Sequence, residues 1–402
     1  MQSHTELMPS KRARQPLQIL LRFLLGGLTA LLIITFALGP SIVEKRLNPS
    51  SSFSLAPISP YAQALHQSLT VADLHADSLL WGRDLSKRSD NGYVDVPRLI
   101  EGNVALQNFT VATKVPNPLL LEGNSDRTDD ITKLAILQRW PIKSWVSLKQ
   151  RALHQARELH KVARRSSGKF TLIETKADLS RYLERRNKEQ QITAGLLGLE
   201  GAQVFEGKLE NVDRLYRAGF RTIGLTHFFD NEVSGSAHGV SGDGLSLFGE
   251  AVLAKIEDLG MVVDLAHASA QTIDDVLEIA RRPVLVSHTG VRGTCDNARN
   301  LSDYQLQQIA ANGGVVGIGF WSTAVCGNDI GAIISAVRYT ANLVGVDHVL
   351  GSDFDGAVRL PFDSAHLNQM TEGLIAAGFS DAEIEKIMGL NVIRLMQETL
   401  PS

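Results

Sequence analysis

The apolar run VADLHADSLLW, residues 71–81, stops on a histidine and an aspartate one residue apart. A strand alternates its side chains between two faces, so His75 and Asp77 would point the same way at the end of that run. Two ligating groups facing one point could begin a metal site, provided that other segments supply partners. The chain offers them at the ends of further apolar runs. ITAGLLGLEG brings Glu200, FRTIGLTH brings His227, MVVDLAHAS brings His267, RPVLVSHTG brings His288, and HVLGSDFDG brings Asp353 with Asp355, which a strand would set on the same face. Burying that many carboxylates and imidazoles together without a cation would be costly, and a divalent metal removes the difficulty. Imidazole and carboxylate ligands without thiolate fit Zn2+, with Mn2+, Co2+ or Fe2+ also admitted by ligand type. More than four candidate ligands points to two ions, a clamp suited to activating a bridging water for hydrolysis. The other histidines, His4, His66, His154, His160, His238, His348 and His366, fall in helical, loop or strand-start segments and are expected to be solvated.

These residues can meet only if the runs that carry them converge. With NVALQNFTVAT and GGVVGIGFWST the apolar runs number eight, and between them lie amphipathic segments such as LENVDRLYRAG, LFGEAVLAKIEDLG, SAQTIDDVLEIARR and SDYQLQQIAANGG. Several of those segments end in Gly, as helix C-termini do. Near-continuous apolar strands alternating with helices imply a parallel sheet covered by helices, and eight such units predict a closed α/β (β/α)8 TIM-like barrel. The C-terminal strand ends of a barrel gather on one face, where barrel active sites lie. An open doubly wound sheet is the competing architecture, but no Gly-rich phosphate loop follows the first strand.

The 402 residues are 44% hydrophobic and 21% charged, a globular composition, and a net charge of −3 gives no basic footprint for nucleic acid. The N-terminus stands apart. Lys11, Arg12, Arg14 and Arg22 precede an apolar stretch, Phe23 to Val43, long enough to cross a bilayer with the N-terminus inside. A cleaved signal peptide competes, with Ala37-Leu38-Gly39 as its cleavage site, but Pro40 just after the cut disfavours it. The expected organisation is a basic cytoplasmic segment at 1–22, a transmembrane signal anchor at 23–43, a Ser/Pro-rich linker at 44–64 and the barrel at 65–402. The barrel is then on the exported side of the cell membrane, held by a single pass. Export makes a disulfide available to the only two cysteines, Cys295 and Cys326, whose scarcity argues against a thiolate metal site.

Taken together and in order, DLHADSLLW, GLEGA, FRTIGLTH, VVDLAHAS, VLVSHTG, NARNLSD, GSDFDG and GLNVIRLM resemble the membrane (renal-type) dipeptidase family, peptidase family M19, of the metal-dependent amidohydrolase superfamily. The resemblance runs from about residue 65 to the C-terminus. It implies that His75, Asp77 and Glu200 hold one zinc and Glu200, His267 and His288 the other, with the glutamate bridging. It also implies that Asp353 is the acid/base group, that His227 stabilises the tetrahedral oxyanion, that Arg299 binds substrate, and that Cys295 pairs with Cys326. The metal ligands agree with the strand-end reading; Arg299 lies past a strand end and would not be singled out without the resemblance. The chain departs from the family at Ala76-Asp77-Ser78-Leu79, where many members carry Asn-Asp-Leu-Pro, and in a longish segment, 114–160, expected to form part of the substrate rim. The animal members carry a C-terminal lipid anchor; this chain ends MQETLPS, so its attachment would be the N-terminal helix.

The expected function is therefore an exported binuclear zinc dipeptidase acting through a metal-bridging hydroxide, with a small dipeptide as substrate, the membrane as partner and a homodimer left open. Another metal-dependent amide, lactam or lactone hydrolase on the same barrel is the alternative. A catalytically silent binding protein is a third reading, which loss of Asp353 or of a ligand would have supported; all are present.

Overall fold

The structure, a computed structural model, describes residues 11–48, 55–348 and 352–402. Each of the first seven apolar runs forms a strand. They are β1 (Val71–Ala76), β2 (Val104–Phe109), β4 (Thr193–Leu199), β5 (Phe220–Gly224), β6 (Val262–Asp264), β7 (Leu285–Thr289) and β8 (Val315–Ile318). All pair in parallel in that order, and every residue of these strands is buried, as expected of a sheet covered on both faces. The eighth run lies partly outside the described residues, but its end closes the ring. Phe320 N–H donates to Ser352 O (3.0 Å) on one side, and on the other Phe354 pairs with Ala76 and donates to His75 O (3.2 Å). The architecture is the (β/α)8 barrel that alternating runs and helices imply.

A further short strand, β3 (Phe170–Leu172), was not legible as an apolar run. It pairs with the first residues of β4, from Thr193 to Gly195, while β5 takes the upper part of that edge from Leu197. The helices after the strands start where the sequence supplies caps. Ser246, Ser269 and Ser302 accept from the backbone N–H of Gly249, Thr272 and Gln305, satisfying donors that a helix start leaves free. At the opposite end, the C-terminal helix Asn391–Thr399 brings Val392, Leu395 and Met396 into a buried cluster with Val262, Leu285 and Val315, the first or nearly first residues of their strands. The barrel is thus plugged at its strand starts and open for chemistry at its strand ends.

The N-terminal helix α1 (Lys11–Leu47) carries the one span among the described residues long and apolar enough to cross a membrane, with mean hydropathy 2.3 and its apolar window unburied. Its last turns dock on the barrel. Val43 packs beside Trp81, Leu134 and Trp140, and Glu44 and Asn48 are buried. Of residues 44–64, read from the sequence as a linker, 44–47 continue α1 and 60–64 begin a second helix, α2 (Pro60–Ser68).

Candidate metal centre

The strand-end residues converge. His75 is the penultimate residue of β1 and Asp77 follows the strand; Glu200 follows β4; His288 lies within β7. His227 and His267 each sit three residues beyond a strand, in turns. Asp353 stands where the last run reaches the seam of the barrel. All seven are buried.

Glu200 stands in the middle. Its Oε1 lies 3.7 Å from His75 Nε2, 3.0 Å from His267 Nε2 and 3.6 Å from His288 Nε2. His75 Nε2 is 3.4 Å from Asp77 Oδ2 and 3.8 Å from Asp353 Oδ1. Two triplets of ligand atoms, each spanning no more than 4.8 Å, share the glutamate: His75, Asp77 and Glu200 on one side, and Glu200, His267 and His288 on the other. A third triplet, His75, His288 and Asp353, overlaps both. The donors fit a divalent ion. His267 Nε2 and His288 Nε2 face each other at 2.9 Å, and Glu200 Oε2, His267 Nδ1 and His227 Nδ1 are buried without hydrogen-bond partners. His227 Nε2 comes within 3.1 Å of Glu200 Oε2, but not in hydrogen-bonding geometry. Buried polar atoms without partners are rare in folded proteins, and a nitrogen and oxygen donor set of this kind is what zinc and similar ions take.

Neighbouring groups hold the donors in place. Thr110 Oγ1 donates to Asp77 Oδ1 (2.9 Å) and lies 3.1 Å from His75 Nε2, while Ser287 Oγ lies 2.9 Å from His288 Nδ1. Asp264 Oδ1 accepts from the N–H groups of Ala266 and Ser287, tying together the ends that carry His267 and His288. Ser236 Oγ lies 2.5 Å from His227 O and 3.2 Å from His267 O, so one hydroxyl bridges two turns. His267 adopts φ 65°, a conformation that L side chains rarely take and that such surroundings must enforce.

The electrostatics of the cluster follow from burial and from charges near one another. Burial first, with the Arg299 charge and neighbouring imidazoles adding to it, pushes His227 down to about 3 and holds His267 and His288 well below the ordinary imidazole value, so three imidazoles are neutral. His75 is the exception: burial works against its charge, but the carboxylates of Asp77 and Glu200 outweigh it and raise it to about 10. Burial and the Asp77 charge lift Glu200 well above the carboxylate range. Asp353 is raised to about 8, by burial first, with His75 opposing. Crowded carboxylates that retain protons are sites a cation would empty.

Two expectations need correction. Asp353 and Asp355 do not share a strand face. Both have positive φ, 73° and 62°, so the chain turns at each, and Asp355 takes partners outside the cluster. Its carboxylate accepts from Tyr93 N–H (2.7 Å) and Ser78 Oγ–H (2.5 Å) and pairs with Arg83. Among the histidines expected to be solvated, His238 and His66 are buried. His66 is structural, its ring nitrogens 2.8 Å from Thr371 Oγ1 and 3.0 Å from Gly102 O. His238 lines the same cavity as the metal cluster, with Nδ1 2.6 Å from Leu121 O, Nε2 without a partner, and its ring centroid 5.0 Å from that of His267. It belongs to a Gly- and Ser-rich loop after β5 without periodicity, so no local pattern places it.

Arg299 is buried rather than on the surface. Its Nη2 donates to His288 O (2.6 Å), its Nε has no partner, and its guanidinium lies 5.9 Å from the Trp321 ring centroid. The cavity above the cluster, about 320 Å3, is walled by Val115 and Leu119 to Leu121 from the segment 114–160. Cys295 and Cys326 form a disulfide with Cα atoms 5.3 Å apart, linking the loop that bears Arg299 to the segment after β8.

A family model described as membrane dipeptidase, peptidase family M19, matches residues 60–400. Aspergillus oryzae dipeptidase aclJ is 33% identical over 218 residues, which are 50% of this chain and 51% of that protein, so the chain spans about half the length of this curated relative. An uncharacterised Klebsiella pneumoniae protein from a pqqA 5′ region is 30% identical over 249 residues, 58% of this chain and 90% of that one. Among solved structures, a metallopeptidase from Rhodobacter sphaeroides liganded with a phosphinate mimic of the dipeptide L-Ala-D-Ala superimposes with a TM-score of 0.68. It is 23% identical and covers 82% of this chain and 99% of its own. At that identity the likeness speaks for the fold.

Proposed function

Because the chain belongs to the membrane dipeptidase family, peptidase family M19, we propose that it is a binuclear metallo-dipeptidase whose barrel works on the exported side of a membrane. The observation that carries this reading is the Glu200 carboxylate shared between two triplets of buried ligand atoms. His75, Asp77 and Glu200 would hold one ion, and Glu200, His267 and His288 the other, with zinc favoured by the donor set. When bound, such ions supply Lewis acidity that polarises the scissile carbonyl and makes water nucleophilic near neutral pH.

The remaining steps belong to side chains. Asp353 takes the proton from the attacking water on its carboxylate and delivers it to the leaving amine. His227, kept neutral by burial, offers a ring N–H to the developing oxyanion. Arg299 takes the free C-terminal carboxylate of a dipeptide in a charge-assisted pair, which a longer peptide would replace by an uncharged amide. The disulfide and the apolar helix support placing the barrel outside the cytoplasm.

The test is the metal content of the purified full chain together with its rates on free dipeptides, end-blocked dipeptides and cyclic amides. Two ions per chain and hydrolysis confined to dipeptides with a free carboxylate are expected. Hydrolysis of lactams or lactones alone would move the assignment to another amide or ester class. Metal-loaded protein without hydrolysis of any of them would overturn the enzymatic reading.

A further inference from the structure

The turn that carries Asp353 is held from outside the barrel. Asp353, Asp355 and Ala357 have φ of 73°, 62° and 59°, three left-handed residues with side chains within five positions. Each is unfavourable by itself, and the set persists only where the surroundings over-determine it. Gly356 is needed because a Cβ there would lie 2.2 Å from Asp353 Oδ1, so the turn folds against the carboxylate itself. Part of the support comes from β1 and its following loop: Ser78, Tyr93 and Arg83 engage the Asp355 carboxylate, and Trp81 Nε1–H donates to Asp355 O (2.8 Å).

The rest comes from the apolar N-terminal helix. Arg83 Nε–H donates to Glu44 Oε1 at 2.7 Å, so this guanidinium joins the end of α1 to Asp355. Asn48 Oδ1 accepts the N–H of Ala357 at 2.9 Å, pinning the last left-handed residue directly. Glu44 and Asn48 are 3% and 1% exposed, and Ser41 Oγ accepts from Asn91 Nδ2 (3.1 Å) one turn earlier. Gly39 lets the helix come close, since a Cβ there would lie 2.9 Å from the Leu137 side chain.

We propose that the end of α1 and the residue after it are a positioning element of the metal centre: Glu44 through Arg83 and Asp355, and Asn48 through the Ala357 N–H, hold the turn that aims Asp353. The helix is then more than a tether, and turnover depends on its docking. This inference rests on the proton-transfer role given to Asp353 above, but the placement of the turn can be read without any substrate.

The experiment compares the full chain with Glu44→Ala, Asn48→Ala and the double variant, and includes Glu44→Gln as the conservative change and Leu28→Ala on the exposed part of α1 as a control. Amide hydrogen exchange over residues 352–358 reads the turn; kcat, KM and metal content on a hydrolysed dipeptide read the site. Faster exchange in that segment is expected in both alanine variants, with kcat lowered by about tenfold or more, KM little changed and metal retained, because small misplacements of a reacting group act on the rate. Glu44→Gln, whose amide oxygen still accepts from Arg83, should recover most of the rate, and Leu28→Ala should match the parent. Parent-like exchange and kcat in the double variant would overturn the proposal. If the double variant fails to fold, the single variants and Glu44→Gln decide by the same readouts. If the parent hydrolyses no dipeptide, the exchange comparison alone decides, and the failure belongs to the functional reading.

Discussion

His267 and His288 meet through their Nε2 atoms at 2.9 Å, with Glu200 Oε1 3.0 Å from the first and 3.6 Å from the second. Two buried imidazoles, both held neutral by burial, cannot both present protons there, and a shared cation satisfies all three atoms. Replacing His267 by Ala should therefore remove one of two ions and lower kcat/KM by more than about 100-fold, beyond the usual effect of changing a group behind a ligand. Elemental analysis of dialysed protein checks it, and two retained ions with full turnover would refute the binuclear assignment.

Loading the site should release protons. Without metal, His75 is protonated up to about pH 10 despite its burial, chiefly because the Asp77 carboxylate stabilises its charge. Burial keeps a proton on Glu200, and on Asp353 up to about pH 8. Both His75 and Glu200 must give up theirs to bind an ion, so affinity rises with pH and falls on acidification. Calorimetric titration with Zn2+ at pH 7 in two buffers of different ionisation enthalpy should show at least one proton released per chain. No buffer dependence would contradict the proton inventory.

Asp353 and Asp355 should fail in different ways. Asp353→Asn keeps the size of the side chain and leaves metal and thermal stability close to the parent, while turnover is lost because an amide cannot shuttle the proton. Asp355→Ala leaves Arg83 and its neighbours short of a buried counter-charge and should cost about 3–5 kcal/mol of stability. Denaturant melts and single-turnover rates on the same preparations separate the two. A stable, inactive Asp355→Ala together with an active Asp353→Asn would exchange the roles.

Arg299 tests the recognition of a free carboxylate. Arg299→Lys keeps the charge but loses the planar fork, and kcat/KM on free dipeptides should fall by about 2–5 kcal/mol in transition-state terms, by analogy with buried charge pairs. Amidating the substrate C-terminus should harm the parent enzyme strongly and the variant much less. Equal sensitivity in both would show that this guanidinium serves His288 O, to which it donates at 2.6 Å, and not the substrate.

Much of the barrel and its ligands could be read from local pattern. An apolar run that ends in a polar ligand-type residue states both a strand and the end of it, which is why His75, Asp77, Glu200, His227, His267, His288 and Asp353 are legible together in the sequence. The short β3, Phe170–Leu172, was not among the runs read from the sequence. That Asp353 and Asp355 face different partners escaped because two-residue alternation holds only while the backbone is extended, and both residues have positive φ. His238 reaches the cavity through a loop without periodicity, and the burial of Arg299 follows from the carbonyl of His288 and the Trp321 ring rather than from its neighbours in sequence. The docking of Glu44 and Asn48 on the Asp353 turn joins residues some 300 positions apart. Residue type and periodicity are properties of neighbours along the chain, and they determined which groups stand at the mouth of the barrel. Which of those groups face one another, and which hold the others in place, was decided by contacts between loops that only closure of the barrel brings together.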